Sequence, residues 1–448
     1  MLDFNITNNE KKILIQYLKF SLEYLKKKKM IGLVQIEKNN NFNLIIRNKI
    51  LENIEYSSNI SIYITAYYKH RQFSLILSHV TKKNIQCAID RIFFIIQNMQ
   101  KDLDLGLPKL KNLYNQDFKL NLFFPWSFNI SKIKDLVLCV EDAALNFSKK
   151  IINSEGTIFN SLIKIKFLGN SLNWFNSQIS TENYLCSNII AADKNSMETS
   201  SEYFLGRDIK DLKDPSVIGI KSAKKSISKL GSRNIQTQIS SIIFSSEVSS
   251  NLFFYLFKAL NGYSVYKKTT FLLYLLNTRI FPKWLDIYEN PFYDKGLSSK
   301  LFDGEGVKTI CRKIVKNGKI KTWLLDTYSG KKIFQETTGH CSGIHNWFIN
   351  SQIPRLSLKK LLKNMNKGIL VTELMGEGVN LMTGDYSKGA SGFWVENGEI
   401  KYPINKFTIS GNLLKLWKNI INLGNDARKY QKISCASIFL SEIQISGV

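Results

Sequence analysis

The stretch TTGHCSGIHNW, residues 337–347, places His340, Cys341 and His345 within six residues of a chain holding four histidines and six cysteines. Four residues separate the two histidines, which lies within zinc-ligand spacing, and a thiol between imidazoles could also act as a nucleophile beside its base. A structural zinc would need further donors. The other histidines, His70 and His79, lie far off in the chain, and no cysteines form a CxxC pair. Gly339 and Gly343 make this a loop, in which both rings can serve as hydrogen-bonding groups of a cavity wall. A second stretch, LFDGEGV (301–307), offers Asp303 and Glu305 for a cation or for acid/base work, and reads equally as a solvated turn. A third, GEGVNLMTGDYSKGASGFW (376–394), carries Gly376, Gly378, Gly384, Gly389 and Gly392. Its GDYSKGAS has the frame of a phosphate-binding loop, but Ala390 stands at the lysine position and a strand-like FWVE follows, so no phosphate cradle forms. What remains is a glycine loop that could line a cleft or simply gather tight turns. HExxH, GxSxG and CxxC are all absent.

A chain of 448 residues needs two or three domains to position such groups. Residues 1–110 read as helix, antiparallel strands and helix. Apolar spacing predicts a helix over 9–29, partial alternation predicts strands in GLVQIE, FNLIIRNKI, NISIYITAYY and QFSLILSHV, and Thr81 caps a helix over 82–100. Residues 111–230 form a middle α+β region that loosely resembles the first, with a helix capped at Ser131 and another opened by Asp214-Pro215; no convincing internal repeat is visible. Residues 231–448 are β-rich, barrel- or sandwich-like, with inserted helices over 246–260, 357–366 and 411–423. Asn317-Gly318 and Asn397-Gly398 there are type I′ hairpin signals. The fold class is therefore α+β.

The net charge of +26 points first to nucleic acid. Yet 53 of the cations are Lys and only nine are Arg, in a chain also rich in Asn and Ile, which fits codon bias better than a base reader. A nucleic-acid partner is not expected. Scattered cysteines suit a reducing compartment. The opening MLDFNITNNEKK lacks the order of a secretory leader, and no apolar run approaches the ~20 residues that span a bilayer. The expected address is the cytoplasm, with no membrane partner.

Residues 371–404 (VTELMGEGVNLMTGDYSKGASGFWVENGEIKYPI), 408–426 (TISGNLLKLWKNIINLGND) and 433–447 (ISCASIFLSEIQISG) resemble the PmbA/TldE branch of the TldD/PmbA peptidase family, peptidase U62. GLSSKLFDGEGVKT, WLLDTYSGKK, TGHCSGIHNW and residues 222–248 fall in the matching order upstream. The resemblance implies a bacterial cytosolic protease of two related subunits, TldD and TldE (PmbA), that digests or trims unfolded and flexible peptides. It implies an HExxxH motif in the catalytic subunit, whose histidines bind zinc with a cysteine near the C-terminus while the Glu serves as base. On this chain the motif falls on SEVSSN. Ser246 and Asn251 take the histidine positions, Glu247 stays at the base position, and Cys435 takes the thiol position as a possible relic ligand. The implied chain is a metal-free partner with no cofactor of its own, working with a zinc-bearing TldD-like chain or as a self-dimer. The five glycines are its candidates for a peptide cavity, and Glu247, His340 and His345 are weak candidates for catalysis. Two rivals stay open: an independently active metallopeptidase using His340, Cys341 and His345, and a non-enzymatic, gyrase-modulator-like binding protein.

Overall fold

The computed structural model describes residues 8–116, 118–125 and 129–447. The first seven residues, read above for the lack of a leader, lie outside the described part.

Residues up to Ser228 build one layer of helices on one six-stranded antiparallel sheet. α1 (Asn8–Lys27), β1 (Ile31–Arg47), β2 (Ile50–Tyr68), β3 (Arg71–Leu77) and α2 (Lys82–Ile96) are followed by α3 (Ile130–Leu145), β4 (Ile151–Asn170), β5 (Phe175–Ala192), β6 (Met197–Gly206) and α4 (Ser216–Ser228). The order helix, three strands, helix occurs twice, a repeat hidden in the sequence. The strands lie in the order β3-β2-β1-β4-β5-β6, so β1 and β4 join the halves, from Leu33 opposite Asn170 to Ile46 opposite Thr157. Residues 1–110 and 111–230 thus share a sheet, and one apolar cluster draws Leu14, Ile36 and Ile89 from the first and Val137, Phe159 and Ile218 from the second. Glu141 of α3 reaches across, accepting the N–H groups of Asn48 and Lys49 at the β1–β2 turn.

The sequence suggests two short strands, GLVQIE and FNLIIRNKI, separated by KNNN, but β1 runs through it unbroken for 17 residues. Strands on both sides satisfy its backbone, and the amides find partners of their own. Asn40 Oδ1 accepts from Ser58 Oγ at 2.8 Å, and Asn160 Nδ2 donates to Asn41 Oδ1 at 3.0 Å. Thr81 caps α2 as expected, accepting from the Asn84 N–H. The α3 cap is Asn129 rather than Ser131, whose N–H it binds. Alternation sends Val34, Ile36, Phe42 and Leu44 into the apolar core and turns Gln35 and Glu37 onto the opposite, polar face.

The C-terminal part comprises β7 (Gln238–Phe244), α5 (Ser250–Leu260), α6 (Gly262–Tyr266), β8 (Leu285–Glu289), β9 (Arg312–Lys316), β10 (Lys319–Ile320), α7 (Thr327–Lys332) and β11 (Trp347–Ser351). It continues through α8 (Leu358–Met365), β12 (Gly368–Met375), β13 (Asp385–Glu396), β14 (Glu399–Asn412), α9 (Leu413–Lys418), β15 (Ile420–Leu423), β16 (Ile433–Ser434) and β17 (Ile438–Ser446). Strands β14-β13-β12-β7-β17 close into a five-stranded barrel through β14–β17 pairing, with β15 added beside β17. A smaller sheet, β10-β9-β8-β11-β16, packs alongside. Both Asn-Gly turns are left-handed at each residue, with φ of 51° and 73° at Asn317-Gly318 and 56° and 72° at Asn397-Gly398. The helix expected over 411–423 stops at Lys418, because Ile420–Leu423 pairs with β17 instead. The helix expected over 246–260 begins at Ser250, leaving its first residues in a turn. The architecture is α+β, with a barrel and inserted helices. No helix among the described residues is long and apolar enough to cross a membrane.

Candidate functional site

The SEVSSN turn leaves the barrel at the end of β7 and feeds α5. Ser245 N–H donates to Val371 O at 2.9 Å, holding the turn against β12. Ser246 N–H donates to Ser437 Oγ at 3.1 Å, and Ser437 in turn donates both its N–H and its hydroxyl to Asp426. The turn is therefore fastened to ISCAS (433–437), and the structure brings Ser246 and Cys435 into the same small region. Cys435 is fully buried there, and burial pushes its thiol up to about 12 against an opposing bond from Ser249. A hydroxyl, an amide and a protonated thiol are not the imidazole, thiolate and carboxylate set from which zinc sites are built. Among the described residues no three His, Cys, Asp or Glu side chains gather in a way that could hold a metal ion.

Glu247 is tied elsewhere. Arg428 Nη2 and Lys225 Nζ both lie 2.6 Å from its Oε1, and the same two cations reach Glu202 Oε2 at 3.2 and 2.5 Å. Burial alone would raise the Glu202 carboxyl, but Lys225 and Arg428 together hold it below its ordinary value. Glu202 lies on β6 and Lys225 on α4, so this cluster clamps the N-terminal sheet onto the turn that opens α5.

His340 and His345 are buried, at 3% and 1% exposure, around a carboxylate the sequence reading missed. Glu289 Oε1 accepts from His345 N at 2.9 Å and Trp347 Nε1 at 3.0 Å, and its Oε2 lies 3.0 Å from His340 Nε2 and 3.6 Å from Arg312 Nε. Burial alone would raise Glu289, but the two histidines hold it down to about 2. His340 Nδ1 meets Thr338 Oγ1 at 2.8 Å. His345 Nε2 faces the Gly339 carbonyl at 2.9 Å and must carry the hydrogen, since a carbonyl only accepts. Burial then pushes His345 down to about 4, keeping it neutral. A readable signal for Glu289 existed: in LDIYE it takes the same buried phase as Leu285 and Ile287.

The acidic turn docks on this loop. Asp303 accepts the N–H groups of Glu305, Val307 and Cys341, and burial pushes its carboxyl up to about 6 against these three donors. Burial and the Asp303 charge push Glu305 up to about 8, where Thr327 donates to it through hydroxyl and backbone.

Between the polar face of the N-terminal sheet and the C-terminal part run three cavities. One of ≈ 620 Å³ lies at the α5 turn, walled by Glu247, Asn251, Phe254, Phe257, Ile344 and Gln431. A middle chamber of ≈ 440 Å³ shares Glu182 and Leu297 with it. The third, ≈ 1200 Å³, shares Gln35 and Ser342 with the middle one and reaches Tyr63, Tyr67 and Glu305. The opening stretch thus walls the cleft with Cys341, Ser342 and Ile344 while its histidines point into the Glu289 network. Asn251 and Gln431 line the first cavity, and their Oδ1 and Oε1 atoms are sealed acceptors with no hydrogen-bond partner among the described residues.

None of the five candidate glycines borders these three cavities. Gly378 and Gly392 sit where a Cβ would come within 2.0 Å of the Ser387 and Leu370 carbonyl oxygens. Gly376 and Gly384 hold φ of +79° and +81°, and Gly389 lies in ordinary van der Waals space.

Residues 237–447 match the family model described as PmbA/TldA metallopeptidase C-terminal domain. The chain is 44% identical over 441 residues to a protein named Metalloprotease PmbA homolog from Buchnera aphidicola subsp. Acyrthosiphon pisum, covering 98% of each. It is 39% identical over 438 residues to Metalloprotease PmbA of Escherichia coli O157:H7, covering 98% of this chain and 97% of that one. A crystallised Bacteroides thetaiotaomicron protein, described as a candidate modulator of DNA gyrase, superposes with a TM-score of 0.92 at 25% identity over 99% of this chain and 100% of that one. TldE from Thermococcus kodakarensis shares the fold, with a TM-score of 0.82 at 19% identity over 96% of this chain and 100% of that one. By these likenesses, spanning nearly its whole length, the chain belongs to the PmbA/TldD metallopeptidase family.

Proposed function

We propose that this chain is the metal-free, TldE-like subunit of a cytoplasmic two-chain metalloprotease, with zinc carried by a TldD-like partner. The observation that carries the reading is the SEVSSN turn itself. By the resemblance Ser246 and Asn251 take the histidine positions of the family motif, and the thiol of Cys435 is buried and protonated in the segment fastened to that turn. Glu247 is engaged by Lys225 and Arg428 as a clamp. The work left to this chain is to bind and orient. The cleft sets a polar sheet face on one side against the α5 turn and the 341–344 loop on the other, a groove that suits an extended chain better than a folded one. The rival site at His340 and His345 finds less support, because both rings belong to the Glu289 network.

The test is digestion of an unstructured polypeptide by this chain, by a TldD-like chain from the same source, and by the two mixed. Chelator-sensitive cleavage is expected in the mixture, and none from this chain alone. Cleavage by this chain alone that a chelator abolishes would overturn the reading.

A further inference from the structure

The middle chamber carries more positive charge than any structural role in it uses. Lys164, Lys166, Arg207 and Lys300 border it against two carboxylates, Glu37 and Glu182. Lys164 is neutralised by Glu37 at 3.1 Å. Arg207 is a brace: its Nη1 donates to Thr181 O, and its Nη2 to Leu297 O at 2.7 Å and Gly296 O at 3.3 Å, which fastens the 296–300 loop to the sheet. Asp303 lends both lysines an opposing charge but forms an ion pair with neither, its oxygens being taken by three backbone donors. Lys166 on β4 and Lys300 on the loop facing it make no hydrogen bond or ion pair among the described residues. Both side chains are only partly buried and line the chamber.

Two partly desolvated ammonium groups side by side oppose each other and oppose folding. Burial, and then the charge of Lys166, pushes Lys300 down to about 8; burial pushes Lys166 down as well. An arrangement that costs stability and serves no internal contact is the mark of a ligand site. We propose that Lys166 and Lys300 bind a carboxylate in the middle chamber, and that this carboxylate is the C-terminus of a bound peptide. The chamber shares Glu182 and Leu297 with the cavity at the α5 turn, so a peptide anchored there by its terminus has Asn251 and Glu247 in the adjoining cavity. Assigning the carboxylate to a peptide rests on the proposed function; the anion site itself does not.

The test is calorimetric titration of the full chain at low salt with three probes: an acetylated Ser/Ala/Gly hexapeptide with a free C-terminus, its C-terminal amide, and succinate. The free acid is expected to bind about tenfold to a hundredfold more tightly than the amide, the range of a charge-assisted hydrogen-bond pair. Lys166→Met and Lys300→Met should each erase most of that difference while melting no lower than wild type, which separates lost binding from lost fold. Equal binding of acid and amide would overturn the inference and leave the cleft reading standing. Lysine-dependent binding of succinate with no binding of either peptide would support the anion site but overturn its assignment to a peptide terminus. Failure of all three probes would overturn the inference outright.

Discussion

Glu289→Ala is expected to remove about 3–5 kcal/mol of stability, the range for deleting one partner of a buried charged network, and to leave little folded protein at 37 °C. The carboxylate is fully buried and serves His340, His345, Trp347 and Arg312 at once. Without it, two N–H donors and a ring nitrogen face a void, and Arg312 loses its counter-charge. Glu289→Gln keeps the volume and one acceptor but sets an NH₂ group against donors, so it should fall between alanine and wild type. Urea unfolding followed by circular dichroism measures both. The pH dependence separates charge from shape. Glu289 is held down to about 2 from an ordinary 4.5, so the stability it lends is complete above pH 4.5 and is lost as the pH falls towards 2. The advantage of wild type over Glu289→Gln should be level near neutrality and shrink below pH 4.5. An advantage that stays level down to pH 3 would mean that the network does not depend on this charge.

The glycine-rich segment divides sharply when each glycine is replaced by alanine. At Gly392 a Cβ would lie 2.0 Å from the Leu370 carbonyl oxygen, inside the barrel wall where β12 and β13 pair. Neither backbone can withdraw without breaking the ladder, so Gly392→Ala should cost about 3 kcal/mol or more. Gly376→Ala meets open space but must hold φ near +79°, a strain of about 1–2 kcal/mol. Gly389→Ala finds its nearest contact at 3.6 Å and should be neutral or slightly stabilising. Thermal melts of the three variants read this order directly. If Gly392→Ala instead keeps its stability and loses only peptide binding, the glycine serves the cleft and not the barrel.

What could be read from the sequence was local. Asn317-Gly318 and Asn397-Gly398 announce their hairpins because that pair takes two left-handed residues cheaply, and Thr81 announces a helix start because its hydroxyl meets a free backbone N–H. The β1–β4 seam left no such mark: two strands become neighbours through registers more than 100 residues apart, and the Asn39–Asn41 run reads as a loop until ladders on both sides satisfy it. The candidate site divides in the same way. SEVSSN and ISCAS were found through a resemblance, and the structure lays one on the other. Glu289 escaped notice although it shares the buried phase of Leu285 and Ile287 in LDIYE, whereas Lys166 and Lys300 escaped it because a lone charge in a strand or loop gains meaning only from what faces it. His340 and His345 looked like ligands by spacing, and the structure seats both on a carboxylate 51 residues away from the first of them.

The central claim is that the donors gathered at Ser246, Asn251 and Cys435 do not hold zinc. Elemental analysis of the purified chain after equilibration with excess zinc and removal of free metal tests it most directly. The account predicts a zinc content far below one per chain, unchanged by Cys435→Ala. One zinc per chain, lost on chelation and absent from Cys435→Ala, would contradict it.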